Sequence, residues 1–240
     1  VILNLEKVSV RSKLENINLK LRKSEVLCLV GTEGSGREAI LRSVFGMEAP
    51  GEGSISYFGD RSLSIRSPSD AVSNGVGYMP RERKIEGIFS SMDVTENMTS
   101  SQLEKYNRFG FLQQNAERKL AREWVDRLSI KTPSIAADCG RLSGGNQQKV
   151  VLAKWRSSGA KLMMLDHPTR GLDIGAKQDV YGMIREMSAA GIGLIVVPDT
   201  FEEAIGLAHT IIVMKDGKIM NVFDTATQQV TPFDLVSAMT

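Results

Sequence analysis

The chain opens with short stretches in which apolar residues alternate or run together. Leu3 to Val10 alternates, Ile17 to Leu21 alternates, and Val26 to Val30 is a continuous apolar run. Such stretches predict strands, the last one buried on both faces. Gly31 to Gly36 is rich in glycine, and Arg37 to Phe45 then carries Ile40, Leu41 and Val44 at helical spacing. The predicted order is buried strand, glycine loop, helix. Further on, Ser54 to Phe58 predicts a strand, Pro68 to Ala71 a helix start, and Val76 to Met79 a short strand before a charged loop, Arg81-Glu82-Arg83-Lys84.

From about Ser91 to Asp138 the pattern changes. Glu117 to Leu128 is amphipathic at helical spacing, with Leu120, Trp124 and Leu128 on one face. Residues 91–138 therefore read as a helical insert, and residues 1–90 and 139–240 as the core of a single domain spanning 1–240. Strands then alternate with helices again. Leu162 to Leu165, Ile192 to Val197 and Ile211 to Met214 predict strands, with helices at Ala176 to Met187 and Phe201 to Leu207. Lys215-Asp216-Gly217-Lys218 has the Asp-Gly form of a two-residue hairpin turn. This alternation points to an α/β fold with a largely parallel central sheet.

Composition changes this picture little. The 240 residues are 42% hydrophobic and 24% charged, ordinary for a globular domain with a sizeable core. A net charge of +2 gives no ground for expecting nucleic acid as a partner. Two cysteines argue against a disulfide framework and favour a cytoplasmic setting, with Cys28 inside an apolar run as a small core residue. No apolar stretch approaches the ~20 residues needed to span a bilayer, and no signal peptide is visible. The chain starts at Val1 rather than Met, as a fragment of a longer protein or a trimmed chain would.

Three runs carry candidate chemistry. Gly31-Thr32-Glu33-Gly34-Ser35-Gly36-Arg37-Glu38 resembles the Walker A loop, in which backbone N–H groups and a helix amino end converge on phosphate oxygens. Tight turns also use glycine, so this run alone leaves phosphate binding open. Leu142-Ser143-Gly144-Gly145-Asn146-Gln147-Gln148 is the stronger signal. It resembles the signature motif of ABC ATPases, in the form seen in bacterial sugar importers. Leu162 to Asp166 followed by His167-Pro168-Thr169-Arg170-Gly171-Leu172-Asp173 resembles Walker B and the D-loop, with Asp166 as the Mg²⁺ ligand.

From about Leu3 to Met220 the chain is similar to the second nucleotide-binding half of a ribose- or galactose-type importer ATPase. That resemblance implies an ABC-type P-loop core, an N-terminal antiparallel β subdomain and a helical signature subdomain. It implies ATP and Mg²⁺ as cofactors. It also implies another nucleotide-binding half upstream in the same polypeptide, membrane permease subunits and, indirectly, a periplasmic solute-binding protein. The expected location is peripheral, on the cytoplasmic face of the inner membrane. The helical insert and the Arg81 loop are where such ATPases dock on a permease.

Several positions depart from the family. Arg37 replaces the Walker A lysine and Glu38 the metal-binding hydroxyl. Arg81 stands at the Q-loop glutamine, His167 at the catalytic glutamate and Asp199 at the switch histidine. No aromatic lies in Val8 to Leu14 to stack on adenine, and His209 reads as structural. The nucleotide-binding candidates are Gly31, Gly34, Ser35, Gly36, Arg37, Glu38 and Arg81. Those acting in trans are Leu142, Ser143, Gly144, Gly145, Asn146 and Gln147, with Gly171, Leu172 and Asp173 in the D-loop. The expectation is a degenerate Walker side that hydrolyses ATP weakly or not at all, beside an intact signature side that completes the partner half's site. Alternatives are a non-transport ABC ATPase and a non-hydrolysing scaffold half.

Overall fold

The computed structural model describes residues 1–60 and 62–239. Strands β1 (Leu3–Val10) and β2 (Leu14–Leu21) precede β3 (Val26–Gly31), helix α1 (Arg37–Val44) and β4 (Glu52–Tyr57). Helix α2 (Pro68–Ser73) and β5 (Val76–Met79) follow. The 91–138 region holds α3 (Val94–Thr99), α4 (Leu103–Tyr106), the two-residue strands β6 (Asn107–Arg108) and β7 (Phe111–Leu112), and α5 (Gln114–Arg127). Then come α6 (Gly144–Ser158), β8 (Leu162–Asp166), α7 (Ile174–Ala189), β9 (Gly193–Val197), α8 (Phe201–Leu207), β10 (Thr210–Lys215), β11 (Lys218–Asp224) and α9 (Pro232–Ser237).

Six strands form the central sheet in the order β11-β10-β3-β9-β8-β5. All neighbours are parallel except β10 and β11, which form the antiparallel hairpin across Asp216-Gly217. Asp216 and Gly217 both have positive φ, 47° and 76°, as the Asp-Gly turn demands. Every residue of β5, β8 and β9 is buried, which explains their unbroken apolar runs. A separate antiparallel sheet, β2-β1-β4, comes from the first third of the chain. The fold is α/β, with a mostly parallel central sheet and an antiparallel β subdomain.

Three local features differ from expectation. The charged loop after β5 is partly helical, because Arg83–Gly87 forms a single π-helical turn. The 91–138 region is not purely helical: β6 and β7 pair around Phe109-Gly110. Helix α7 begins at Ile174, two residues before the expected start. The Asp173 carboxylate accepts from the Ala176 N–H at 2.8 Å and caps that end.

Candidate functional site

Strand β3 ends in the glycine loop. A side chain at Gly31 would collide with the Met214 carbonyl of neighbouring β10. Gly36 has φ 97°, and a Cβ there would also meet the Lys13 carbonyl. These positions demand glycine, so the loop passes tightly between strands and hands the chain to α1. Arg37 is the first residue of α1 and only 9% exposed. Its guanidinium lies 3.5 Å from Glu38, and its Nε has no hydrogen-bond partner among the described residues. Burial pulls the Arg37 pKa down; Glu38 and Asp166 oppose that, and the positive charge of Arg81 adds to it. The Ser35 hydroxyl is likewise buried and unpartnered.

Asp166 closes β8, 4% exposed. Tyr78, at the matching end of β5, donates its hydroxyl to Asp166 Oδ2 at 3.2 Å, while Oδ1 is unpartnered. Burial raises the Asp166 pKa, the neighbouring His167 lowers it, and Glu38 adds to the rise. Arg81 also bears on Asp166, so Arg37, Glu38, Arg81 and Asp166 share one electrostatic neighbourhood.

His167 turns the chain off β8 with φ 49°, the left-handed region that favours glycine. The N–H of His167 donates to the Val197 carbonyl, which holds the turn against β9. Nδ1 of the ring lies 2.9 Å from Asp199 Oδ1. An ionised carboxylate only accepts, so Nδ1 carries the proton, and Nε2 presents a lone pair in the neutral ring. Nε2 is unpartnered, 3.9 Å from Asp166 Oδ1.

Behind this pair lies a network that sequence reading missed. The Thr169 hydroxyl sits 2.7 Å from both Asp199 Oδ2 and Glu203 Oε2. Glu203 also accepts from Lys177 at 3.0 Å and Tyr181 at 2.7 Å. Burial works to raise the carboxyl of Asp199, but bonds from His167 and Thr169 hold it below the usual range. Glu203 behaves alike, through Tyr181, Thr169 and Lys177. Nothing local in Phe201-Glu202-Glu203 signals this role; β9 and α8 bring the residues together.

The signature run sits at the start of α6, a 15-residue helix. Ser143 is exposed, and its hydroxyl accepts from Asn146 Nδ2 at 2.9 Å. Asn146 Oδ1 in turn accepts from the Lys131 N–H at 2.8 Å. The side chains of Leu142 and Gln147 do not reach the surface. Gln147 is 1% exposed and donates to the carbonyls of Gly140 and Leu142, at 3.2 and 3.1 Å. Gly144 and Gly145 are half-buried. Arg83, which no motif singled out, approaches Gly144 and donates to the Arg170 carbonyl at 2.9 Å. Leu172 packs on the core. Gly171, with φ 68°, is exposed beside Asp173, which caps α7. His209 accepts from the Val26 N–H at its Nδ1, a structural bond.

A cleft of about 400 Å³ is lined by Gly31, Arg37, His167, Asp199 and Phe201 among others. A wider one of about 760 Å³ runs from Gly34 past Arg11, Ser12 and Lys13 and has no aromatic lining. The unpartnered donors Ser35 Oγ, Arg37 Nε and Arg81 Nε suit the acceptor oxygens of a polyphosphate. Asp166 Oδ1, buried and unpartnered, and the Glu38 carboxylate are the oxygens that a Mg²⁺ ion would meet here. Such ions need only one or two carboxylates plus phosphate oxygens, so the lack of a three-residue metal cluster among the described residues decides nothing. Glu38 also faces Arg37, 3.5 Å away.

Comparisons with known proteins identify the family. The ABC transporter family model matches residues 14–170. Ribose import ATP-binding protein RbsA 3 of Rhizobium etli is 38% identical over 239 residues, covering all of this chain and 46% of that protein. RbsA of Rhodopirellula baltica is 39% identical over 211 residues, covering 88% of this chain and 41% of that one. The chain thus spans about half the length of these relatives. Among solved structures, the dimeric ATP-binding cassette MJ0796 in a post-hydrolysis state with ADP and Pi superposes with TM-score 0.80 at 20% identity, covering 93% of this chain and 99% of that one. The cassette MJ1267 superposes at 0.81 and 18%, covering 99% and 98%. These two support the fold alone, whereas the model match and the RbsA relatives settle descent: the chain belongs to the ABC transporter family, as an ATPase domain homologous to the ribose import ATP-binding proteins.

Proposed function

We propose that this chain is the second, C-terminal nucleotide-binding half of an importer ATPase that drives uptake of a sugar or similar small polar solute. It works beside an upstream half of the same polypeptide, on the cytoplasmic face of the inner membrane, with permease subunits and a periplasmic binding protein. The importer reading draws on the relatives, which are named as ribose import proteins and are about twice as long. The domain runs 1–240, with residues 91–138 as the insert that leads into the signature.

One observation carries the division of labour. Ser143 is presented outward at the start of α6 while Gln147 and Asn146 fasten the loop from behind. The chain's own site holds Arg37, Glu38, Arg81, His167 and Asp199. The signature loop, with its helix amino end, serves the γ-phosphate bound by the partner half. The chain's own Walker side binds nucleotide without rapid turnover, because His167 is oriented by Asp199 but lacks the usual lysine, glutamine and hydroxyl around it. Among the described residues no helix is long and apolar enough to cross a membrane. The permease docks on the Arg81 loop and on the helical insert, whose Met92, Thr95 and Leu103 line a groove of about 840 Å³.

The test is Ser143→Arg in the full-length transporter. Turnover should fall by at least 100-fold, and unchanged turnover would sink the division. A second check uses the purified chain alone. Steady ATPase activity that His167→Ala abolishes would overturn the degenerate-site reading.

A further inference from the structure

Arg83 lies where three segments meet. It opens the π-helical turn Arg83–Gly87 that follows β5. Its Nη1 donates to the Arg170 carbonyl at 2.9 Å, in the turn that leads into the D-loop. Its Nη2 occupies the space that a Cβ on Gly144 would need, at the start of the signature helix. The neighbouring Glu82 pairs with the Arg170 guanidinium at 3.1 Å. Arg170 is therefore gripped twice from one loop, at its carbonyl and at its side chain. The same turn is tied to α6 at its far end, where Lys154 donates to the Gly87 carbonyl at 2.8 Å. Gly144 and Lys154 stand about 15 Å apart along the helix at 1.5 Å per residue, so the turn runs alongside α6. From the other side, Gln148 of α6 donates to the Pro168 carbonyl. A cation at the positive end of a helix is disfavoured, so Arg83 is not placed there to stabilise α6. A guanidinium is a rigid plane with donors along its edges. One arm holds the Arg170 carbonyl while the other lies against Gly144.

We propose that Arg83 is a positioning residue for the partner half's nucleotide site, joining the signature loop to the D-loop turn so that both move with the loop after β5. This deepens the reading in which Ser143 and the D-loop act in trans, and rests on it. The loop after β5 is also the one assigned to the permease, so a displacement there reaches both phosphate-facing loops through one side chain. Glu82 strengthens the grip on Arg170. Its ion pair is exposed, with side chains 54% and 44% accessible, and such pairs contribute little. The joint between the two loops therefore depends on Arg83.

The experiment compares the full-length transporter with its Arg83→Met variant, which keeps an unbranched side chain and loses every donor. Turnover at saturating ATP should fall about tenfold or more while KM for ATP stays within about threefold, because the partner's own glycine loop still holds the nucleotide. Hydrogen–deuterium exchange read by mass spectrometry should rise about fivefold or more in both segments, 142–147 and 167–173, and stay unchanged at 31–38. Arg83→Lys can still donate to the Arg170 carbonyl and should bring turnover back to within about fivefold of the parent. A rise in exchange in only one of the two segments overturns the joint, and unchanged turnover overturns the role in the partner's site. Lower turnover with an equal rise in KM and faster exchange throughout marks a general loss of structure and also overturns it. Ser143→Arg, run alongside, separates the two readings. Where it silences the transporter and Arg83→Met does not, only the inference about Arg83 fails. Where neither variant changes turnover, the action in trans fails as well. Should Arg83→Met not fold, as judged by circular dichroism, Arg83→Gln takes its place under the same criteria, being too short to reach the carbonyl.

Discussion

The glycine-loop face and the signature face of this domain are built in opposite ways. The signature face is fastened from inside and presents itself outward. Ser143 is exposed, while Gln147 and Asn146 tie its loop to neighbouring backbone. The neutral amide oxygens left unpartnered there, on Gln147 and Gln148, are buried beneath the helix. The Walker face does the reverse. Its charged groups point inward, and Ser35 Oγ, Arg37 Nε, Asp166 Oδ1 and His167 Nε2 gather unpartnered around one glycine loop. Buried polar groups without partners cost about 1–3 kcal/mol each, so a fold retains such a cluster where a ligand repays it. One face is satisfied by its own chain, and the other keeps a cluster of unpartnered groups around its loop.

Lys154 is the strongest challenge to that contrast, because it lies on the signature helix and is a buried charge. It is 8% exposed, donates to the Gly87 carbonyl at 2.8 Å and stacks 5.1 Å from the Trp155 ring centroid. Burial pushes its pKa down to about 8 from 10.5. A depressed pKa on a base means that the unfolded chain holds the proton more tightly than the folded one. Stability therefore carries a constant penalty below pH 8, which lifts as pH rises from 8 to 10.5. At 1.36 kcal/mol per unit the full penalty is about 3 kcal/mol. Lys154→Met should remove this pH dependence, so urea melts of parent and variant should converge or cross by about 3 kcal/mol between pH 7 and 10.5. Parallel curves would show that the lysine is comfortably hydrated and that the signature side stores no strain.

Gln147→Leu probes the same face from the other direction. Its amide holds the carbonyls of Gly140 and Leu142 just ahead of Ser143. Losing those bonds should cost about 2 kcal/mol at roughly 1 kcal/mol per bond, a fall in Tm of about 4–8 °C for a chain of this size. A Tm within 1 °C of the parent would mean that the loop is not fastened from behind and that the two faces are built more alike.

Much of this plan was legible in the sequence where it is local. The run from Val26 to Gly36 forms β3 and the loop, Phe201 to Leu207 is helical as the periodicity predicts, and Asp216-Gly217 turns the hairpin. The pairing of His167 with Asp199 was not legible, because the two lie 32 residues apart. They meet only through the parallel pairing of β8 and β9, at Asp166 and Val197. Tyr78 reaches Asp166 for the same reason, through β5 beside β8. Thr169, Glu203, Tyr181 and Lys177 belong to loops and helices whose periodicity speaks only of burial, and a hydrogen-bond network leaves no periodic mark. The π-helical turn at Arg83–Gly87 escaped because one wide turn has no repeat to recognise.

The finest test of the contrast is the smallest change, Ser35→Ala. The Ser35 hydroxyl is buried and unpartnered, so in the ligand-free chain it loses its bonds to water and gains nothing in return. Alanine removes that loss and keeps the backbone, because Ser35 has no positive φ for a side chain to strain. The variant should be more stable by about 1 kcal/mol, a rise in Tm of about 2–4 °C. The gain should shrink or reverse in saturating tripolyphosphate, where the parent hydroxyl has an oxygen to meet. A deletion that stabilises on one face and destabilises on the other, as Gln147→Leu should, is what separates a site awaiting its ligand from a surface already complete. If Ser35→Ala instead lowers Tm without ligand, its hydroxyl is satisfied within the chain, and the Walker face is as finished as the signature face.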